Sequence, residues 1–494
     1  MDGRPDDGQV ADVLVEGGRV RTVSAEPLPV DGAAVIEGTG RILLPGFVDG
    51  HRHVWQTALR GLAGDWSLFE YLVHVRNVYS PRYTAADVHA GSYAGYLEAL
   101  DAGITTVVDF SHAMRAPGHA DAVVDAMQSS GIRGVLAYGM SHVPEPGENP
   151  LRAQVESTWR HDDVRRLRGG PLASDDGRVL LGLATADLGE FLPLQIVRRD
   201  LDLGRELGLR RITIHASHGA ATRHARLVRR LHRAGLLGTD LLFAHGTGWS
   251  TDELRYLADS GAGVVSTPES ELQMGMGLPV LARAQARGIP VGLGADVVSG
   301  NGGDLFAQMR LALQATRFSD NEQLARSGRV PAHLTLRAVD VLRAATVDGA
   351  RAVGLGEVTG SITPGRAADL VLIRADGLAT APVNDAVGTV VLQATPATVE
   401  TVLVGGEVVK RDGRLVGVDR QAAVAAVEKS RDRLLADVDP AAVAALERAF
   451  AATMPLDRTG AAMSRLAGAM LQHESTARRL LRTMQASFDR TRPE

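Results

Sequence analysis

Residues 45–61, PGFVDGHRHVWQTALRG, decide how the rest of the chain reads. Phe47 and Val48 open a short apolar run that ends in two histidines, His51 and His53, with Arg52 between them. Alternate side chains on a β-strand share a face, so both imidazoles point the same way, roughly 6–7 Å apart along the backbone. That spacing lets both reach one metal ion, and imidazole is a common nitrogen ligand for zinc and other divalent transition ions. A lone His-X-His is a frequent surface or core feature; the residues downstream give this one its meaning.

Outward from that stretch runs a repeated strand–helix rhythm. Apolar runs occur at 47–50, 104–110, 132–138, 179–185, 211–215, 240–245, 262–267 and 290–296, with helical patterns between them, as at 86–102, 198–208 and 278–288. Eight strands alternating with helices over about 300 residues predict an α/β fold, a (β/α)8 TIM barrel over residues 47–354. A doubly wound sheet would require a Gly-rich phosphate turn after its first strand, and the sequence has none.

Both flanks differ from the middle. ADVLVEGGRVRTV and AAVIEGTGRILLP near the start, and VTGSITPGRAADLVLI and TVETVLVGGEVVKRDG near the end, read as short strands broken by Gly turns. They predict a small composite β-sandwich domain built from residues 1–46 plus 355–416. Residues 417–494 carry Ala, Arg and Leu at helical spacing, with Asp439–Pro440 placed as N-cap and first helical residue. This predicts a helical C-terminal extension packed on the barrel or on a neighbouring subunit.

Composition narrows the chemistry. The 494 residues are 45% hydrophobic and 22% charged, with a formal net charge of −5, which gives no electrostatic reason for a nucleic acid or an anionic membrane as partner. No run of about 20 apolar residues exists, and the start, MDGRPDDGQVADV, is acidic and polar, so a cytoplasmic protein is expected. The absence of cysteine excludes disulfides, thiolate nucleophiles and Cys-ligated metal sites. Only Lys410 and Lys429 are lysines. A Schiff-base, P-loop or carboxylated metal-bridging lysine is thereby excluded from the first 400 residues.

In a barrel, polar residues that end strands face the active mouth. The first strand ends in His51 and His53, the fifth in His215, the sixth in His245 and the eighth in Asp296. Other histidines, such as His74, His161, His232 and His473, fall on helices or loops. Asp109 and His112, at and just past the second strand, also take mouth positions.

With LPGFVDGHRH at 44–53, ITIH at 212–215, LLFAH at 241–245, VGLGAD at 291–296, SITPGRAADLVLI at 361–373 and VLVGGEVVKRDG at 402–413, the sequence resembles the amidohydrolase superfamily. Within it, the resemblance is to the cytosine deaminase-like branch of triazine hydrolases and nucleobase or nucleoside deaminases. It covers about residues 10–415. It implies that His51, His53, His215 and Asp296 bind one divalent metal ion, Zn2+ first and Fe2+ or Mn2+ as alternatives, with His245 beside it. Asp296 would accept a proton from metal-activated water, and His245 would stabilise charge on the attacked group. The fourth strand, VLLGLAT, offers no bridging ligand, so a mononuclear site is expected. Relatives of this kind generally carry one more strand before the equivalent of ADVLVEGGRV.

One position departs from the pattern. Deaminases of this branch carry His-X-X-Glu after the fifth strand, where the glutamate shuttles a proton to the leaving nitrogen; here the stretch is HASH, with His218 at that place. An imidazole can move protons near neutral pH, so His218 is the expected third catalytic residue. Trp55, Gln56 and Arg60 after the His-X-His, His112, and Glu269, Glu271 and Gln273 in STPESELQMGMG are the candidate substrate contacts. The expected function is metal-dependent hydrolysis of a small N-heterocycle, by removal of an amino group. The His218 departure raises the alternative of a non-deaminating hydrolase, or a lyase or hydratase, that displaces halide or cleaves an amide or C–C bond. The expected partner is a small molecule, and the resemblance implies a homo-oligomer, a dimer or tetramer.

Overall fold

A computed structural model describes residues 8–30, 32–143, 154, 157–187, 189–219, 222, 224–451, 456 and 458–472. Part of the expected helical extension, with His473, therefore lies outside the described residues.

Eight parallel strands form the centre: β4 (Phe47–Arg52), β5 (Ile104–Ser111), β6 (Arg133–Gly139), β7 (Val179–Ala184), β8 (Ile212–Ala216), β9 (Leu241–His245), β10 (Gly263–Ser266) and β11 (Val291–Leu293). They pair in sequence order and β11 closes on β4, which makes a complete barrel. The runs are rich in Val, Ile and Leu and buried on both faces, inside against one another and outside against the helices. The expected strand positions match the observed ones within a few residues, except that the eighth is only three residues long and Asp296 lies beyond it.

Closure is what brings the first and last strands' functional residues together. The Asp296 amide donates to the His51 carbonyl at 2.9 Å, and the His53 amide donates to the Asp296 carbonyl at 2.8 Å. Gly294 makes this approach possible, because a Cβ there would lie 2.6 Å from the His51 carbonyl oxygen. Asp49, buried in β4, adds a side-chain clasp by accepting from the Ala295 amide at 3.1 Å.

The flanking strands form two sheets. β1 (Asp12–Glu16) and β2 (Arg19–Ser24) make a hairpin. β3 (Arg41–Pro45) pairs with β12 (Leu370–Arg374), which continues through β13 (Val399–Val404), β14 (Glu407–Arg411) and β15 (Arg414–Leu415). Val20, Leu370, Leu372 and Leu403 are buried between the sheets. The β1–β2 and β13–β14 turns are both Gly-Gly pairs with positive φ, at Gly17–Gly18 and Gly405–Gly406, as tight hairpin turns require. They also abut: a Cβ on Gly18 would lie 2.7 Å from the Gly405 carbonyl oxygen.

The C-terminal helices pack on segments that follow barrel strands. Helix Arg420–Leu435 packs on Ala85–Asp101, and Arg433 donates to the Arg82 carbonyl at 2.7 Å. Helix Pro440–Ala451 packs on the segments after β4, with His74 Nε2 3.2 Å from Glu447 Oε1. Beyond helix Arg458–Leu471, the Gln472 amide donates to the Ala225 carbonyl at 3.0 Å, in the segment after β8. β4 and β8 are four places apart in the eight-strand ring.

Candidate active site

Four imidazoles and one carboxylate converge at the C-terminal ends of β4, β8, β9 and β11. The His51 and His53 rings are 4.8 Å apart, and the His51 and His215 rings 4.9 Å apart. Asp296 Oδ1 lies 3.4 Å from Nε2 of both His51 and His53. Ligand atoms of His51, His53 and His215 lie within 4.8 Å of one another, as do those of His51, His245 and Asp296. His51 belongs to both groups, so they describe one centre.

The outer nitrogens show how each ring is held. His53 Nδ1 donates to the Phe110 carbonyl at 2.7 Å, and His215 Nδ1 to Asp187 Oδ1 at 2.9 Å. Each ring therefore turns the lone pair of Nε2 inward. His215 Nε2 and His51 Nε2 are only 3.2 Å apart. Converging nitrogen lone pairs beside a carboxylate form a donor set that fits one divalent ion.

Electrostatics favours the ligand forms. Burial pushes His215 down to about 3 and holds His53 and His245 well below the ordinary imidazole range, so these rings are neutral. Burial works to raise the Asp296 carboxyl. The His51 imidazole hydrogen-bonded to it outweighs burial and holds the group well below the usual carboxylate range, so it stays ionised. Ser217, His245 and Asp296 all have left-handed backbones, with φ of 62°, 76° and 60°. Such strain in non-glycine residues clusters at functional sites.

The remaining candidates separate by placement. Trp55 is buried: the chain leaves β4 as a helical turn, Val54–Leu59, and the indole packs against Tyr83. Its Nε1 donates to His112 Nδ1 at 3.0 Å, which leaves the His112 proton on Nε2. The His112 ring stacks on His53 with centroids 4.1 Å apart, so it joins the wall of the cage. Gln56 is also buried, donating to Tyr71 at 2.7 Å and accepting from Ser299 at 2.9 Å. Arg60 pairs with Glu98, which also binds the buried Arg52.

In the segment after β10, Glu269 accepts from Gln308 at 2.8 Å, and Gln273 donates to the Gly64 and Gly300 carbonyls at 3.1 Å. Glu271 is buried behind His245, 3.8 Å from its Nδ1, and accepts from Ser266 and the Thr267 amide at 2.8 Å each. Burial raises Glu271 to about 7. Asp109 accepts from Tyr96 at 2.6 Å and from the Val54 amide at 3.3 Å, tying down the backbone next to His53. His218 comes within 4.8 Å of the His245 ring, centroid to centroid.

Two acids escaped the sequence reading, Asp187 and Glu190, both in ATADLGEF after β7. Asp187 holds His215 and is itself paired with Arg76. Glu190 accepts from the Ser217 amide at 2.7 Å. The rule that picked His215 and Asp296, polar residues just past a barrel strand, would have found both if extended a few residues. A surface cleft of about 1110 Å³ lies elsewhere, lined by Arg283, Arg287, Asp320 and Arg343, and contains none of the cage residues.

A closed parallel barrel with a histidine–aspartate cage at its C-terminal mouth defines a metal-dependent hydrolase. The sequence model of the amidohydrolase family matches residues 42–409, and the chain belongs to that family. It is a hydrolase acting on carbon–nitrogen bonds. A 5-methylthioadenosine/S-adenosylhomocysteine deaminase of Symbiobacterium thermophilum is 32% identical over 450 residues, covering 88% of this chain and 97% of that protein. A 5'-deoxyadenosine deaminase of Methanosarcina mazei is 27% identical, with 88% and 96% covered. Among solved structures, a zinc-bound adenosine deaminase from Xanthomonas campestris superposes with a TM-score of 0.73 at 25% identity, covering 86% of this chain and 93% of that one. An atrazine chlorohydrolase of Arthrobacter aurescens shares the fold with a TM-score of 0.72 at 23% identity, with 85% and 95% covered. No described helix is long and apolar enough to cross a membrane.

Proposed function

We propose that this protein is an aminohydrolase that replaces an exocyclic amino group of a small N-heterocycle by oxygen and releases ammonia, with adenosine derivatives the first substrates to test. The cage of His51, His53, His215 and Asp296, with converging ring nitrogens and an ionised aspartate, carries this reading. Support for the substrate class comes from the deaminases that share most of the chain's length.

His51, His53, His215 and Asp296 would hold a divalent ion, zinc in our reading, which would supply Lewis acidity and lower the pKa of water toward neutrality. Asp296, ionised and buried, accepts the proton of the attacking water. His245, held at Nδ1 by Thr267 Oγ1 at 3.0 Å, faces the attacked group and stabilises its charge. His218 takes on that proton from Asp296 at Nε2 and passes it to the leaving nitrogen, so the C–N bond breaks to give neutral ammonia and Asp296 is left ionised again. A cytoplasmic location and a homo-oligomer complete the reading, checked by fractionation and native mass.

Ammonia release from adenosine, 5'-deoxyadenosine, 5-methylthioadenosine, S-adenosylhomocysteine and aminated pyrimidines, pterins and triazines tests it. Release from one group with kcat/KM well above the others is expected. Silence across the panel with hydrolysis of another bond would favour the second reading, a non-deaminating hydrolase, lyase or hydratase. That reading is motivated by His218, which lacks the two acceptor oxygens of a carboxylate.

A further inference from the structure

Behind the unusual histidine stands an acid from a different barrel loop. Glu190 follows β7 and is buried, yet only one of its carboxylate oxygens is engaged: Oε1 accepts from the Ser217 amide at 2.7 Å. Its Oε2 is a buried oxygen with no hydrogen bond, and it lies 3.5 Å from His218 Nδ1, a buried nitrogen that also has none. The two unsatisfied atoms face each other. A small inward rotation closes a charge-assisted hydrogen bond, which buried polar groups strongly favour.

The backbone around His218 is built for this meeting. Ser217 is in the left-handed region, at φ 62°, and the Glu190 carboxylate binds the amide of that strained residue. The His218 amide donates to Thr222 Oγ1 at 2.6 Å, and the Gly219 amide to Thr247 Oγ1 at 2.9 Å. Glu190 is fixed in turn, since its carbonyl accepts from Arg230 at 2.8 Å. Three anchors thus set where the imidazole stands, 5.5 Å from the His215 ring and 4.8 Å from the His245 ring.

We propose that Glu190 is the positioning residue for His218, and that the pair, split between the ends of β7 and β8, replaces the single glutamate that the His-X-X-Glu pattern would place there. Glu190 fixes the proton of His218 on Nδ1 and leaves Nε2 as the nitrogen that meets the substrate. This is the task a buried carboxylate performs for a histidine elsewhere in enzymology, where it sets tautomer and orientation and does not itself take up the proton. The inference rests on the aminohydrolase reading for its kinetic consequence, but not for its structural one.

Glu190→Gln in the zinc-loaded full-length protein tests it, beside Glu190→Asp and Glu190→Gln in a His218→Glu background. The ring nitrogens of His218 are followed by 15N NMR, with the signals assigned by their loss in His218→Gln. The Gln substitution is expected to move His218 away from the Nδ1–H tautomer and to lower kcat by about tenfold or more with KM and metal content unchanged. Glu190→Asp recovers part of the loss, and in the His218→Glu background the Gln substitution lowers kcat no further. A His218 tautomer unaffected by Glu190→Gln overturns the proposal, whether or not kcat falls. If the wild type releases no ammonia from any substrate while the tautomer still shifts, the aminohydrolase reading fails and the pairing stands.

Discussion

His215 Nδ1 and Asp187 Oδ1 stand 2.9 Å apart, so the carboxylate that orients this ligand comes from the neighbouring strand's loop. Burial works to raise the Asp187 carboxyl; Arg76 and the nearby imidazoles outweigh it and keep the group ionised. Asp187→Asn should weaken metal binding about 10–100-fold, the usual effect of losing an outer-shell partner. Competition with a chelator on metal-stripped protein measures this. An unchanged affinity would mean that His215 is held by packing against Phe110 alone.

Trp55 is predicted to matter for stability and not for substrate affinity. Its indole is fully buried and satisfies His112 Nδ1 at 3.0 Å. Trp55→Phe leaves that nitrogen unpaired at a cost of about 1–3 kcal/mol. A lower urea midpoint with an unchanged KM is the expected result; a raised KM at unchanged stability would put the ring against the substrate.

Asp200 and His161 form a second buried pair of acid and imidazole. Asp200, which accepts from the Ala186 amide at 3.1 Å, is pushed up to about 7 by burial, and His161, 3.7 Å away, is pushed down to about 4. The stability contributed by protonated Asp200 is full below its unfolded value near 3.8 and is lost as pH rises through about 7. That of neutral His161 is present above 6.5 and lost as pH falls through about 4. Wild type should therefore lose stability relative to Asp200→Asn between pH 4 and 7, by up to about 4 kcal/mol. Relative to His161→Gln, it should gain stability over the same range. Urea midpoints across pH 4.5–8 decide both signs.

Removing residues 440–494 should uncover the cage without unfolding the barrel. Helix Pro440–Ala451 has no buried residue, whereas the preceding helix buries Leu434, part of the main core. The shortened chain should melt within a few degrees of the full one and keep its metal, but lose it several-fold faster to a chelator. Equal extraction rates would show that the helices do not cover the mouth.

The barrel and the cage were legible because β-strands repeat every two residues and end where chemistry begins. His51, His53, His215, His245 and Asp296 all sit on that pattern, and strand spacing located them. The burial of Trp55 was not legible, because alternation stops at His53, where the chain turns into Val54–Leu59. Asp187 and Glu190 lie a few residues past the strand end, and their positions were legible while their roles were not. Each acts through a loop conformation, and what they touch, His215 and the Ser217–His218 pair, is set by β7–β8 adjacency that no local pattern records. Gln56, Arg60 and Gln273 read as mouth residues from position alone; their hydrogen bonds join segments around the mouth to one another.

The most direct test is metal content and ammonia release measured together on protein purified without added metal, with Asp296→Asn and His53→Ala beside wild type. About one divalent ion per chain and ammonia release are expected for wild type, with both lost in His53→Ala. Asp296→Asn should release no ammonia even with the ion restored. Wild type that holds no ion, or releases ammonia independently of both residues, would contradict a metal-dependent aminohydrolase.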